Sequence, residues 1–325
     1  MGIGGAAIGL ALGGLATLAV ALGLIASQSV PEADGAGGLE FSGLIGRDVT
    51  PLPQRAVAMR DGWGMPVHEA KGPADGPLIV AVHGSGWNGR QFDALGAALS
   101  DRASVLAVDL RGHGASPDRR GDVDYIGQLE DDLADLIAAE RVPGQAVYLL
   151  GHSSGGGLVV RMAGGAHRDA FDGAILLAPF LGHRAPTQRK NSGGWAQPML
   201  RRIIGLSILN AVKIRALNHL PVIWFRFPKA VLEGPMGHLA TRSYSYRLNV
   251  SYAPRSDFKS DIKALPGFLL VAGAQDEAFD AAGYQPFVEG LTQGGSYAVI
   301  EGVKHLDVVD HPMTLAKIKE WLDAR

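Results

Sequence analysis

Residues Tyr148–Val160 read YLLGHSSGGGLVV. The stretch begins as an apolar strand and ends as an apolar helix face. Gly151, Gly155, Gly156 and Gly157 crowd around His152, Ser153 and Ser154 where the two meet. Gly151-His152-Ser153-Ser154-Gly155 fits G-x-S-x-G in the strand–turn–helix context that a nucleophile elbow requires. Small flanking residues let the backbone turn sharply, which would leave the Ser153 hydroxyl exposed above the strand end. The adjoining helix N-terminus favours developing negative charge. Ser154, one place off the motif, would contribute its backbone N–H to an oxyanion hole rather than its hydroxyl.

Working outward, PLIVAVHG (77–84), SVLAVDL (104–110), QAVYLLG (145–151) and GAILLAPF (173–180) are continuous apolar runs, read as strands buried on both faces. Helical spacing over 90–101 and 125–140 separates them. RAVAM and PVHEA flank the turn RDGWG (60–64) and read as a hairpin. The alternation implies an α/β fold with a mostly parallel sheet flanked by helices. It breaks after Phe180 and resumes at GFLLVAG (267–273), a helix over 284–291, a strand over 296–300 and a closing helix over 312–324. The break is too long for a loop and carries helical patterns of its own. It reads as a cap or lid over the strand ends, where open α/β sheets bind ligands. The organisation expected is a core of 40–180 and 266–325, with a helical insertion over 181–265.

A serine hydroxyl needs a base, and the base an orienting acid. In this context they follow in the order acid, then histidine. Among 10 histidines, His305 lies in the loop after the last strand. His311, just before Pro312, reads as a helix-start residue. LLVAGAQDEAFD offers Asp276, Glu277 and Asp280 after the preceding strand. Asp276 emerges first and is the candidate, with Glu277 as fallback. The loop VHGSGW (82–87) offers the Ser85 N–H as second oxyanion donor, beside that of Ser154.

Taken together, VHGSGWNG, VDLRGHGAS, GHSSGG, GAQDEAF and GVKHLD resemble the α/β-hydrolase superfamily, in particular its lysophospholipase and monoacylglycerol lipase-like group, which is also grouped with serine aminopeptidases. The resemblance covers about residues 77–180 and 266–325. It implies an α/β-hydrolase fold with structural roles for Asp109 and His113. Serine at the elbow, where epoxide- and haloalkane-cleaving relatives carry Asp, implies acyl transfer to water through an acyl-enzyme. The expected substrate is a small-molecule or lipid ester. The rival readings are an amide or peptide hydrolase with the same triad, and a non-catalytic binding protein on this fold. No metal or organic cofactor is called for.

Composition sets further bounds. The chain has 325 residues, 47% of them apolar, which suffices for one large domain with an insertion. A net charge of -2 argues against nucleic acid as a partner. The lack of cysteine excludes disulfides, thiolate metal sites and a cysteine nucleophile. Residues 1–30 form an apolar segment without a charged side chain. Its length suits a single transmembrane helix, which takes ~20 apolar residues. The expectation is a membrane anchor with the catalytic domain outside the cytoplasm; the alternatives are secretion after signal cleavage and a helix buried on the folded domain. Residues 31–39, containing PEADGAGG, read as a linker. PMLRRIIGLSILNAVKIRALNHLPVIWFRFP (198–228) is apolar and basic, with Trp224, Phe225 and Phe227 near its end. It reads either as a lid touching lipid or as a cap packed on the core.

Overall fold

A computed structural model of the chain describes residues 3–31, 38–41, 49–115 and 117–325, with side chains in the first helix from Leu12 onward. Of the expected linker, residues 32–37 lie outside the described residues, as does Ser116 of the VDLRGHGAS stretch.

Helix α1 spans Ile3–Ala26. The core then opens with the expected hairpin, β1 (Gln54–Ala58) antiparallel to β2 (Gly64–Ala70). It continues with β3 (Leu78–Val82), α2 (Asp93–Leu99), β4 (Ser104–Val108), α3 (Gln128–Glu140), β5 (Val147–His152), α4 (Ser154–Ala163) and β6 (Gly173–Leu177). Strands β3, β5 and β6 are buried along their whole length, because helices cover both sheet faces. Helix α3 shows why its sequence reads as amphipathic. Leu129, Leu133, Leu136 and Ile137 recur at helical spacing and are all buried.

The inserted segment contains β7 (Ala196–Pro198), α5 (Leu200–Ala211), β8 (Pro221–Phe225), α6 (Lys229–Leu232), β9 (Ser243–Ser245), α7 (Tyr246–Tyr252) and α8 (Phe258–Lys263). Its helices are joined by a three-stranded sheet, ordered β7-β8-β9, that the helical reading did not anticipate. The core resumes with β10 (Phe268–Gly273), α9 (Tyr284–Glu289), β11 (Gly295–Ile300) and α10 (Pro312–Asp323). The main sheet has eight strands in the order β1-β2-β4-β3-β5-β6-β10-β11, parallel from β4 to β11. The strand order places β3, β5 and β6 at its centre, so the loops leaving β3, β5, β10 and β11 gather at one end.

The N-terminal segment corrects the sequence reading. Among the described residues no helix is long and apolar enough to cross a membrane. The helix also has a protein partner. Ala21 and Ile25 are buried in a cluster with Leu206, Leu209, Val222 and Tyr246 of the inserted segment. Gly205 on α5 makes the close approach: a Cβ there would lie 2.6 Å from the Ala21 carbonyl oxygen. The transmembrane anchor is therefore withdrawn. The placement of an anchored domain outside the cytoplasm rested on that span and falls with it.

Candidate active site

Strand β5 runs out at His152, and the chain turns directly into α4. Ser153 holds the corner at φ 54°, ψ -119°. A non-glycine residue in such a region carries roughly 1–3 kcal/mol of strain and persists only where its surroundings over-determine it. Here they do. The Ser153 N–H donates to the Leu177 carbonyl at 2.9 Å, and its carbonyl accepts from Gly157 and Phe180 at 3.2 and 2.8 Å. The crowded glycines follow from packing. A Cβ on Gly151 would lie 2.5 Å from the Gly155 backbone, and one on Gly155 would strike the Val82 carbonyl. Helix α4 can begin this close to β3 and β5 only without those side chains. The Ser153 hydroxyl has no hydrogen-bond partner among the described residues and faces a recess that His305 also lines.

His305 and Asp276 meet below that recess. His305 Nδ1–H donates to Asp276 Oδ2 at 2.8 Å, with both side chains buried. The other carboxylate oxygen, Oδ1, accepts the N–H groups of Ala278 and Phe279 at 2.7 and 2.8 Å. Burial pushes the Asp276 carboxyl up, but His305 and these two N–H groups outweigh it and hold it below the ordinary carboxylate value. With the proton fixed on Nδ1, Nε2 is left as an acceptor. The fallback acid, Glu277, does not touch the imidazole. It accepts the His305 backbone N–H at 2.9 Å through Oε2 and the Glu40 N–H at 2.9 Å through Oε1. Asp280 is exposed. His311 caps α10 by accepting the Met313 N–H, as a helix-start residue should.

The backbone N–H groups of Ser85 and Ser154 donate to no acceptor among the described residues. The loop bearing Ser85 is held by groups that the sequence reading passed over. The Gly84 N–H donates to Gln91 Oε1 at 3.1 Å, and Gln91 Nε2 donates to His152 Nδ1 at 2.6 Å. His152 Nε2–H then donates to the His305 carbonyl at 3.0 Å. One unbroken line of hydrogen bonds thus joins the Ser85 loop to the His305 loop. On the other side, the Gly86 N–H donates to Tyr244 Oη at 2.6 Å. His113 Nδ1–H donates to the Arg111 carbonyl, so its Nε2 accepts the Tyr244 O–H at 2.7 Å. The Tyr252 O–H donates to the His83 carbonyl. Asp109 accepts the Gly89 N–H at 2.7 Å and a bond from His68 at 3.3 Å. Asp109 and His113 therefore hold loops, as the resemblance implied. His152 and His113 sit inside quoted motifs and could have been suspected. Tyr244 and Tyr252 come from the inserted segment, and nothing local announces them.

Two predictions arise here. Tyr244→Phe strands both the Gly86 N–H and His113 Nε2 in a buried site. We expect it to lower stability by about 1–3 kcal/mol, read as a lower urea midpoint. The second concerns pH. Burial, with His305 nearby, depresses His152 to about 3, and burial depresses His83 to about 4. Burial also holds His113 well below its usual value. In the unfolded chain each imidazole titrates near ~6.5. Below that pH the unfolded state binds protons that the folded state refuses, so stability falls as pH drops. The loss should be roughly 1–2 kcal/mol per histidine by about pH 5. Urea midpoints at about pH 7.5 and pH 5 check this; equal midpoints would contradict it.

The recess spans about 330 Å³, part of it open to solvent. Phe41, Trp87, Trp195 and Phe227 form its apolar walls, beside Ser85, Ser153 and His305. Trp195 and Phe227 belong to the inserted segment. Trp195 Nε1–H donates to the Ser85 hydroxyl at 3.1 Å. Among the described residues lining the recess there is no Asp, Glu, Lys or Arg.

Comparison with known proteins bears on the family and the fold. The family model Hydrolase_4, described as serine aminopeptidase, S33, matches residues 74–311. The magnesium-chelatase 30 kDa subunit of Rhodobacter capsulatus is 34% identical over 110 residues, 34% of this chain and 37% of that protein. Esterase PIR7B of Oryza sativa subsp. japonica is 30% identical over 147 residues, 43% of this chain and 51% of that protein. The alignments thus span about a third to a half of these curated relatives. A soluble variant of monoglyceride lipase from Saccharomyces cerevisiae, solved with a substrate analog, superposes with a TM-score of 0.63 at 17% identity. That superposition covers 86% of this chain and 97% of the lipase, a likeness of fold.

Proposed function

The chain belongs to the serine aminopeptidase, S33, family of α/β-hydrolases, and from that premise we propose that it is a serine hydrolase of carboxylic esters, working through Ser153, His305 and Asp276. The observation that carries this reading is Ser153, held on a strained strand–helix corner in one recess with His305. His305 Nε2 takes the Ser153 proton as Oγ attacks the acyl carbonyl. The oxyanion is met by the N–H groups of Ser85 and Ser154, both unengaged by protein acceptors. Collapse expels the alcohol, which takes the proton from His305. Water, deprotonated by the same Nε2, adds to the acyl carbon; collapse then breaks the bond to Ser153 Oγ, which takes the proton back from Nε2, and the acid leaves. Asp276 fixes the imidazole tautomer throughout. Every bond made or broken is served by this chain's own residues.

The lining favours an ester over a peptide. An aminopeptidase must hold a substrate ammonium, for which a carboxylate near the nucleophile is the strong partner, and among the described residues lining the recess there is none. The recess presents aromatic rings instead. A neutral, apolar ester suits them. Residues 181–265 act as its lid, contributing Trp195 and Phe227 to the walls. The test is a panel of 4-nitrophenyl esters set against amino-acid 4-nitroanilides. We expect ester turnover to exceed anilide turnover by at least about tenfold. Faster release from the anilides would move the assignment to peptide hydrolysis.

A further inference from the structure

We propose that residues 38–41 form a strap that sets the size of the substrate group admitted beside Ser153. The sequence places this segment at the end of a linker, yet it is built into the recess. Phe41 is 3% exposed, and its ring centroid lies 5.9, 5.6 and 5.7 Å from those of Trp87, Trp195 and Phe227. Leu39 lines the recess beside it. Gly38 adopts φ +108°, and a Cβ there would collide with the Trp195 backbone, so the strap runs directly against the inserted segment.

The strap is also tied to the reacting groups. One carboxylate, that of Glu277, accepts the Glu40 N–H through one oxygen and the His305 N–H through the other, each at 2.9 Å. A second tie joins Glu40 to Lys304, the residue before His305, at 3.8 Å. A segment held to the His305 loop on one side and packed on Trp195 on the other is a fixed wall. The phenyl ring of Phe41 and the isobutyl group of Leu39 then limit how far a substrate chain can extend. The group selected is compact and apolar: a short acyl chain or a single aryl ring.

The inference rests on the ester-hydrolase reading, and its test separates the two. The full chain, Phe41→Leu and Leu39→Trp are assayed on two ester series. One varies the acyl group from acetyl to dodecanoyl on 4-nitrophenol; the other varies the alcohol on acetate. A single methylene in an apolar pocket is worth about tenfold or more in specificity. Phe41→Leu should therefore raise the ratio of long-chain to acetyl kcat/KM roughly tenfold in one series. Leu39→Trp should lower it by a similar factor. Because the two variants push in opposite directions, loss of folding in one leaves the other to decide. Ratios unchanged in both series, with acetyl ester still turned over, would overturn the strap's role. If Ser153→Ala turned over the esters as fast as the parent chain, the hydrolase reading would fail and the strap's role with it.

Discussion

Ser153→Ala is expected to fold normally and to lose at least about 10⁴-fold in kcat/KM on any ester the protein cleaves. Removing the nucleophile of a serine triad costs on the order of 10⁶, and what remains comes from the oxyanion donors and binding. The fold should tolerate the change. The Ser153 hydroxyl makes no hydrogen bond that alanine would forfeit, and the strained φ of 54° is imposed by backbone bonds to Leu177, Gly157 and Phe180. Urea denaturation should place the variant within about 1 kcal/mol of the parent. Activity within tenfold of the parent would mean that Ser153 is not the attacking group.

Asp276→Asn is expected to cost about 10⁴ in kcat, the size seen when the acid of a serine triad is made an amide. The carboxylate accepts from three donors: His305 Nδ1 and the N–H groups of Ala278 and Phe279. The two backbone donors will claim the amide oxygen, turning its NH₂ toward His305. Nδ1 then becomes the acceptor, the proton moves to Nε2, and the imidazole can no longer take one from Ser153. Glu277→Gln is the control, since Glu277 accepts only backbone N–H groups. It should lose about tenfold or less, through looser placement of the His305 loop. Equal losses in the two variants would contradict the assignment of Asp276.

The core and the grouping of the candidate site residues were legible because local signals coincide there. Strands β3, β5 and β10 are short apolar runs followed directly by Ser85, Ser153 and Asp276, and His305 follows β11, so these candidates could be named from motif and chain order. Other features answer to distant partners. Phe41 follows a glycine-rich stretch that reads as a linker, and only its packing on Trp87, Trp195 and Phe227 reveals a wall. Tyr244 and Tyr252 reach Gly86 and His83 across more than a hundred residues of chain. The insertion's sheet was hidden because β7 and β9 have three residues each. Helix α1 misled for a related reason. Apolar side chains suit a bilayer and a protein partner equally, and the burial of Ala21 and Ile25 against α5 is a tertiary fact.

The central claim is that Ser153 is the nucleophile that forms an acyl-enzyme. The most direct measurement is the intact mass of the protein after treatment with a fluorophosphonate, followed by peptide mapping. Such reagents bond covalently to a serine only where a base and an oxyanion hole activate it. The account predicts one adduct per chain, located on Ser153, and none on Ser153→Ala. No adduct, or one on a different residue, would contradict it.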